Sequence, residues 1–391
     1  MIRRILVIGG LGLAAVGGAR FGLAKLAERR WERRREELLA LALFQPTERR
    51  PWEVRFESLV ERLGSSKHLD EIHDSPYRPV VCFGEEAPRR LDAFERVWVE
   101  SLWNEFTGLD SILAELRKLP LDALEWHGRT LHLTELREPM DALCARAWLA
   151  AEAGDSEGAA RSYADALRLA RATDDGTGVA MSIRLACDGT TLRALRASLA
   201  LGTSAHALRA AVEPLLADWD YDPARAERVL RRDLAFLRDL DGREADDPAG
   251  NLRWFAPTEH AIELAHAPTE RFAQEYRTAA ARAEPSEPRA DSGALDLLLT
   301  QLFLEHARHS QGEVALTALA VASFREEHGE FPAALAELPD LAPEHALDPL
   351  TGAPLLYAVS EGVARVGPAA WGERVDDYPQ DQGSLYVWTL R

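Results

Sequence analysis

Cysteine is scarce in this chain. Its 391 residues include three, Cys82, Cys144 and Cys187, and their wide spacing excludes a CxxC metal or redox motif. An odd number also excludes a framework in which every cysteine forms a disulfide. The three side chains are therefore predicted to be small buried hydrophobic groups.

Catalytic motifs are missing as well. No GxSxG, Walker or GxGxxG sequence stands at a predicted strand–helix junction. The stretch EHARH places His306 and His309 about one helical turn apart, where two imidazoles could share a metal ion. Glu305 precedes the first histidine, whereas the zinc-protease motif has its glutamate after that histidine. We therefore predict that the protein is not an enzyme. A metal-dependent hydrolase that uses His306, His309 and nearby carboxylates is the alternative.

Positive charge is in deficit over most of the chain. Residues 1–36 contain nine Lys or Arg and three Glu, which gives this segment a charge of +6. Because the whole chain carries −18, the remainder carries −24. Binding to nucleic-acid phosphates requires a basic surface, so nucleic acid is excluded as a partner. An acidic body of this kind could instead attract cations or basic partners.

The N-terminal apolar run is short for a membrane span. It extends from Ile5 to Ala19, fifteen residues, where a membrane helix needs about 20. Flanking arginines can snorkel to the lipid headgroups and lengthen the span. We therefore predict that residues 5–19 bind the membrane and that residues 1–27 are an anchor or a signal. A basic juxtamembrane helix and a connecting segment are predicted over 28–90.

Two features of this run support different interpretations, a retained membrane helix and a cleaved signal peptide. Gly10, Ala14 and Gly18 recur every four residues, and such a stripe of small residues lets two membrane helices associate. A cleaved signal peptide is the alternative, with Gly17 and Ala19 as the small pair before the cleavage site. We predict a single-pass protein of the bacterial inner membrane with an extracytoplasmic body. Export after cleavage, or a cytoplasmic body, are the alternatives.

Ala, Leu, Arg and Glu are abundant, and this composition favours helices. Residues 91–290 alternate amphipathic stretches with breakers such as Pro139, so they are predicted to form a helical array that binds a protein partner. Within the array, residues 142–170 resemble a single tetratricopeptide hairpin. Gly154 would form its turn, and Tyr163 would wedge between the two helices. A hairpin in a generic helical bundle is the alternative.

Residues 291–391 are predicted to form a long helix followed by a small antiparallel sheet. The helix should end at His328, because Gly329 suits the left-handed position after a helix. A short helix over 333–338 and a turn at Asp348-Pro349 come next. Strands are predicted over three segments, 354–359, 363–367 and 384–390. The predicted fold is thus mainly α, with an N-terminal membrane helix, an array of helical hairpins and a small C-terminal α+β module.

This ending resembles the major pseudopilin of type II secretion systems. In that family a long helix precedes a Tyr/His-x-x-Gly-x-Tyr/Phe-Pro signature, an Asp-Pro-x-x-Gly-x-Pro turn and a small antiparallel sheet. The chain also looks like large uncharacterised bacterial membrane proteins that end in such a module. The resemblance implies a secretion or envelope role for a non-enzymatic scaffold or protein-interaction protein. The matching residues are His328, Gly329, Phe331, Pro332, Asp348, Pro349, Gly352, Pro354 and Tyr357.

The same resemblance implies a calcium site. Pseudopilin modules of this kind hold calcium in an acidic loop before the last strand, and the corresponding loop here carries Asp376, Asp377 and Asp381. Hard oxygen ligands at short spacing suit Ca²⁺, and backbone carbonyls and water would complete its roughly six to eight oxygen ligands. The alternative is a solvated acidic loop that is stabilised by turn-forming aspartates.

Overall fold

The part of the chain that the structure describes divides into two compact units. One unit includes residues 223–224, 226–231, 259–267 and 293–302, and the other, here called the main unit, includes the described residues of 46–221, 269–274 and 303–391. The computed structural model describes residues 50–64, 81, 88–121, 133–173, 178–217, 223–224, 226–231, 259–267, 271, 274, 293–349, 351–369 and 387–390.

Helices dominate the described residues. Short 3₁₀ helices cover Asn104–Phe106, Leu335–Glu337 and Pro343–Ala346. The α-helices are α1 Pro51–Gly64, α2 Ala93–Trp103, α3 Leu109–Leu116, α4 Leu133–Glu152, α5 Ser156–Ala172, α6 Gly178–Leu199, α7 Ala205–Leu216 and α8 Gly293–His328.

Helices α4 and α5 form a tightly packed hairpin. Gly154 lies in the turn with φ +76°, a value that a residue with a side chain rarely adopts. Asp155 then caps α5, because its side chain accepts a hydrogen bond from the Gly158 N–H at 2.9 Å. Trp148 and Tyr163 are fully buried between the helices. The Tyr163 hydroxyl donates to the Ala194 carbonyl of α6 at 3.1 Å, which connects the hairpin to the next helix.

The predicted break at Pro139 is wrong, because α4 continues through this residue. Proline removes one backbone hydrogen bond from a helix interior and disfavours the preceding turn. The residues that follow it, Met140 and Leu143, are buried at 1% and 0% exposure. Their packing into the core offsets the local cost of the proline, so tertiary contacts override the local signal.

Helix α8 ends where the sequence predicts. Gly329 has φ +80°, and its N–H donates to the Arg325 carbonyl at 2.8 Å. The predicted short helix over 333–338 is reduced to a single 3₁₀ turn, Leu335–Glu337. Asp348 is fully buried, and its carbonyl accepts hydrogen bonds from the N–H groups of Thr351 and Gly352 at 3.1 and 2.7 Å.

A three-stranded antiparallel sheet closes the main unit, with order β1-β2-β3. The strands are β1 Leu356–Ser360, β2 Val363–Gly367 and β3 Trp388–Leu390. Val366 on the central strand pairs with Tyr357 on β1 and with Trp388 on β3. The predicted mainly helical fold with a small antiparallel sheet is confirmed for the described residues.

No helix among the described residues has both the length and the apolar character to cross a membrane. The predicted span at 5–19, with Gly10, Ala14 and Gly18, lies outside the described residues. The anchor therefore stays a prediction.

The start of α2 provides a prediction about pH. Asp92 and Glu95 form a capping box, in which each side chain accepts a hydrogen bond from the other residue's N–H at 2.8 Å. The Arg89 guanidinium donates two hydrogen bonds of 2.7 Å to the Glu95 carboxylate. These Arg89 bonds lower the pKa of Glu95 below its usual 4.5, against the opposing effect of burial.

A carboxyl whose pKa is lower in the folded state stabilises the protein above its unfolded-state pKa, and this stabilisation is lost as the pH falls through the folded-state value. We therefore expect Glu95→Gln to lower the free energy of unfolding at pH 7. The difference in the free energy of unfolding between wild type and Glu95→Gln should shrink as the pH falls below 4.5. Urea unfolding of both proteins between pH 7 and pH 3 measures this difference. A difference that stays constant with pH would contradict the assignment.

The other unit contains a separate ion-pair group. Glu227 accepts hydrogen bonds from Arg231 at 2.7 Å and lies 2.8 Å from the His266 ring. The hydrogen bond from Arg231, followed by that from His266, lowers the pKa of the Glu227 carboxyl. A structural role accounts for these contacts, because they tie two helical segments of the same unit together.

Candidate functional site: a cleft between α7 and α8

Within the main unit, α7 and the C-terminal part of α8 each present one face to a common cleft. On α7 the lining residues are at positions 206, 209, 210 and 213, and on α8 they are at positions 320, 323, 324 and 327. Both sets have the spacing i, i+3, i+4 and i+7. On an α-helix these positions share a face. The cleft has a volume of about 310 Å³ and is closed on a third side by the chain after the Leu335–Glu337 turn. Its lining residues are His206, Arg209, Ala210, Glu213, Ala320, Ser323, Phe324, Glu327, Leu338, Pro339 and Asp340.

The first turn of α7 is held by a residue of α8. Glu326 accepts hydrogen bonds through its carboxylate from the Ala205 N–H at 2.6 Å and from the Ser204 hydroxyl at 3.2 Å. Ser204 in turn is the N-cap of α7 and accepts from the Ala207 N–H. The carboxylate thus satisfies a donor that no residue within the helix can reach, and it complements the positive end of the helix dipole. These contacts set the spacing of the two helices.

Replacement of Glu326 tests this arrangement. We expect Glu326→Ala to lower the free energy of unfolding by about 1 kcal/mol, the usual cost of losing a helix cap. Glu330→Ala is the matched control, since Glu330 is exposed and lies just beyond α8. Chemical denaturation measures both variants. Equal stabilities for the two would show that Glu326 does not hold α7.

Arg209 lines the cleft, where one terminal nitrogen of its guanidinium makes two polar contacts and its Nε has no partner among the described residues. Its guanidinium pairs with Glu213 at 3.3 Å and donates to the Asp340 carbonyl. The contact with Glu213 joins two residues on the same face of α7. The contact with the Asp340 carbonyl holds the Leu338–Asp340 segment against the helix. Arg209 therefore shapes the third wall of the cleft.

The carboxylates of the cleft outnumber its cations. Glu213, Glu327 and Asp340 line it, against the one guanidinium of Arg209. The carboxylates and the guanidinium together give the lining a net charge of −2. Among the residues that the structure describes, Glu327 and Asp340 have no ion-pair partner. The cleft is therefore electrostatically suited to a positive ligand.

Two buried polar atoms of the cleft lining have no hydrogen-bond partner within the described ranges, the Arg209 Nε and the Ser323 hydroxyl. Ser323 is only 5% exposed, and within the described ranges its hydroxyl makes no hydrogen bond. Leaving a buried polar group unsatisfied costs about 1–3 kcal/mol. Because Ser323 lines the cleft, a bound group that donates to or accepts from this hydroxyl would recover part of that cost.

The two histidines of the hydrolase alternative have different surroundings. His306 is 4% exposed. The His309 ring lies 3.3 Å from Glu313, and the other oxygen of Glu313 lies 2.7 Å from the ring of His345. Among the described residues, no three His, Cys, Asp or Glu side chains are grouped closely enough to hold a metal ion. Glu313 links α8 to the Pro343–Ala346 turn, and this link accounts for His309 and His345 structurally.

The acidic loop lies outside the described residues, so Asp376, Asp377 and Asp381 are not placed. The calcium site stays a prediction.

Two cysteines lie in a polar part of the helical core. Cys144 and Cys187 are buried, and Cys144 donates a long, 3.8 Å hydrogen bond to Thr191. Burial raises the pKa of the Cys144 thiol to about 12 and that of Cys187 well above its usual value. Both are therefore neutral at physiological pH and unreactive as nucleophiles. This agrees with the prediction of buried hydrophobic cysteines for these two, while Cys82 lies outside the described residues.

The cleft residues were not predicted from the sequence. Local signals exist, because Ser323 interrupts an apolar stretch of α8 and Arg209 interrupts one of α7. The contact between the two helices joins positions 121 residues apart. Periodicity within one segment cannot reveal such a pairing.

Comparison of this chain with protein-family models, with curated proteins and with solved structures finds no match.

Proposed function

We propose that this protein is a membrane-anchored, non-enzymatic scaffold that binds a protein partner through its helical array. Residues 5–19 would provide a single-pass anchor in the bacterial inner membrane, with an extracytoplasmic body. Self-association of the anchor would use Gly10, Ala14 and Gly18. The α7–α8 cleft is the candidate binding site.

The observation that carries the proposal is that the cleft is preformed. Its two helices are joined by the Glu326 cap, and its third wall is held by the Arg209 contact with the Asp340 carbonyl. A site that is rigid before binding loses less conformational entropy when a partner docks. The mixed lining, with apolar walls and a few polar groups, is typical of recognition sites.

The resemblance to pseudopilins is part of the proposal. It is supported by the roles of the matching residues, since Gly329 ends the long helix and Asp348 organises the turn before β1. Tyr357 donates to the Pro332 carbonyl at 2.7 Å and so joins β1 to the signature that follows α8. These contacts explain why the signature has its spacing. A secretion or envelope role follows from the resemblance.

Site-specific photo-crosslinking in cells tests the function. A photoreactive amino acid at Ala210, which is exposed in the cleft, should give a discrete adduct with one partner protein. The same amino acid at Ala334, which is exposed outside the cleft, is the matched control. Adducts that are absent from Ala210, or identical from both positions, would contradict binding through the cleft. Protease accessibility of the body in intact spheroplasts tests its extracytoplasmic location.

The calcium site is tested separately. If Asp376, Asp377 and Asp381 bind Ca²⁺, EGTA should lower the melting temperature of the full-length protein. The mechanism is mass action, because an ion that binds the folded state stabilises it. Asp376→Asn combined with Asp381→Asn should remove the response to EGTA. A wild-type melting temperature that is indifferent to EGTA would count against the site.

A further inference from the structure

The α7–α8 cleft has the chemistry of a pocket for one positively charged side chain. Its volume of about 310 Å³ is at the small end of ligand pockets, where one long side chain fits better than a cofactor. Ala210, Ala320, Phe324, Leu338 and Pro339 provide apolar walls. The methylene stem of a lysine or arginine packs on such surfaces while its charged end reaches polar groups.

The charge of the lining favours a cation over an anion. One terminal nitrogen of Arg209 contacts Glu213 and the Asp340 carbonyl, whereas the carboxylates of Glu327 and Asp340 have no ion-pair partner within the described residues. The cleft lies beside the C-terminal turn of α8 and the N-terminal turn of α7, so the two helix dipoles oppose each other there. The excess of carboxylates over guanidinium groups therefore decides the preference for a guanidinium or an ammonium group.

The Ser323 hydroxyl is a group that a cationic side chain can satisfy. It lines the cleft, it is more than nine-tenths buried, and in the described part of the chain it has no hydrogen-bond partner. A hydroxyl oxygen accepts hydrogen bonds, and guanidinium and ammonium groups offer only donors. A cationic side chain would therefore satisfy this oxygen at the same time as it neutralises the carboxylates.

We propose that the cleft binds an arginine or lysine side chain of the partner protein. This inference rests on the proposed function, since it specifies what the partner inserts. Glu327 supplies the main charge, and Ser323 accepts a hydrogen bond inside the cleft. The acidic character of the body brings basic segments to this surface.

Short peptides test the specificity directly. The probes are acetyl-Gly-Gly-Arg-Gly-Gly-amide and its lysine, citrulline and glutamate counterparts, titrated by ligand-observed NMR into full-length protein in a neutral detergent. Citrulline keeps the shape of arginine without its charge. The arginine and lysine peptides should bind, with affinity that falls as salt rises, and the other two should not.

Variants of the protein locate the site. Glu327→Gln should weaken binding of the arginine peptide by about tenfold, because it removes a charge-assisted hydrogen bond. Ser323→Ala should weaken it by about threefold to tenfold. Glu330→Gln, a charge change of the same kind outside the cleft, should leave the affinity unchanged. Glu327 is exposed, so its substitution keeps the fold intact.

The outcomes separate this inference from the proposed function. Tight binding of the citrulline or glutamate peptide, or equal affinity in wild type and Glu327→Gln, would overturn the cationic pocket and leave partner binding standing. If no peptide binds while Ala210 still crosslinks to a partner, the cationic pocket is again overturned and partner binding again stands. If no peptide binds and Ala210 gives no adduct, both proposals fail.

Discussion

Tyr163→Ala should lower the free energy of unfolding of the main unit by about 3–5 kcal/mol, the range for removing a buried aromatic side chain. Tyr163 is fully buried between α4 and α5 and donates to the Ala194 carbonyl of α6 at 3.1 Å. The substitution therefore leaves a cavity where three helices meet and a carbonyl without its donor. Chemical denaturation monitored by circular dichroism at 222 nm measures the loss.

Tyr163→Phe is the matched control for the cavity. It keeps the ring and removes only the hydroxyl, so it should cost about 1 kcal/mol, the value of one hydrogen bond. If Tyr163→Ala lowers the free energy of unfolding much more than Tyr163→Phe does, most of the stabilisation by Tyr163 comes from packing of its ring. Equal, small losses would mean that Tyr163 does not wedge the hairpin, and the tetratricopeptide-like interpretation would lose its principal packing residue.

Val366→Asp should unfold the C-terminal sheet at a cost of at least about 3 kcal/mol, because it places an unpaired charge in the core. Val366 is fully buried on the central strand, where it pairs with Tyr357 and Trp388. Water cannot reach the new carboxylate unless the strands separate. Faster hydrogen exchange of the β2 amides reports the separation.

Val359→Asp is the control, with the same chemical change on the neighbouring strand. Val359 is 44% exposed, so its carboxylate stays hydrated and the cost should be below about 0.5 kcal/mol. A similar loss in both variants would indicate a general intolerance of charge in this sheet. A tolerated Val366→Asp would contradict the burial of β2.

The elements that could be predicted from the sequence are those that depend on one residue or on a short run of neighbouring residues. Gly154 and Gly329 have positive φ, and glycine is the residue that adopts such a conformation without strain, so a turn and a helix end could be placed from single residues. The strands were predicted because short runs rich in β-branched and aromatic residues follow a turn.

The elements that the sequence did not predict depend on distant contacts. Pro139 is a local helix breaker, but the buried residues that follow it hold the helix together. Helix α7 is capped by Glu326, and Arg196 of α6 donates to the Val387 carbonyl beside β3 at 2.9 Å, a contact that spans 191 positions. Such pairings arise only when the chain folds. The cleft belongs to this class, which is why none of its residues was a candidate beforehand.

The two proposals depend on a single structural relation within the main unit. Helix α7 belongs to the helical array, and α8 leads into the C-terminal sheet. The cleft exists as long as these two parts stay packed together. Their joint hydrophobic core, which includes Trp148, Tyr163, Val314 and Val366, provides the physical basis for that packing.

Native-state hydrogen exchange tests this relation most directly. If the array and the C-terminal part of α8 fold as one cooperative unit, the slowest amides of α5 and of residues 314–324 in α8 should exchange with the same free energy of opening, and Glu326→Ala should lower both equally. If the α8 amides open at a much lower free energy than those of α5, this part of α8 separates from the array independently. The cleft would then be a transient feature, and the proposed binding site would be contradicted.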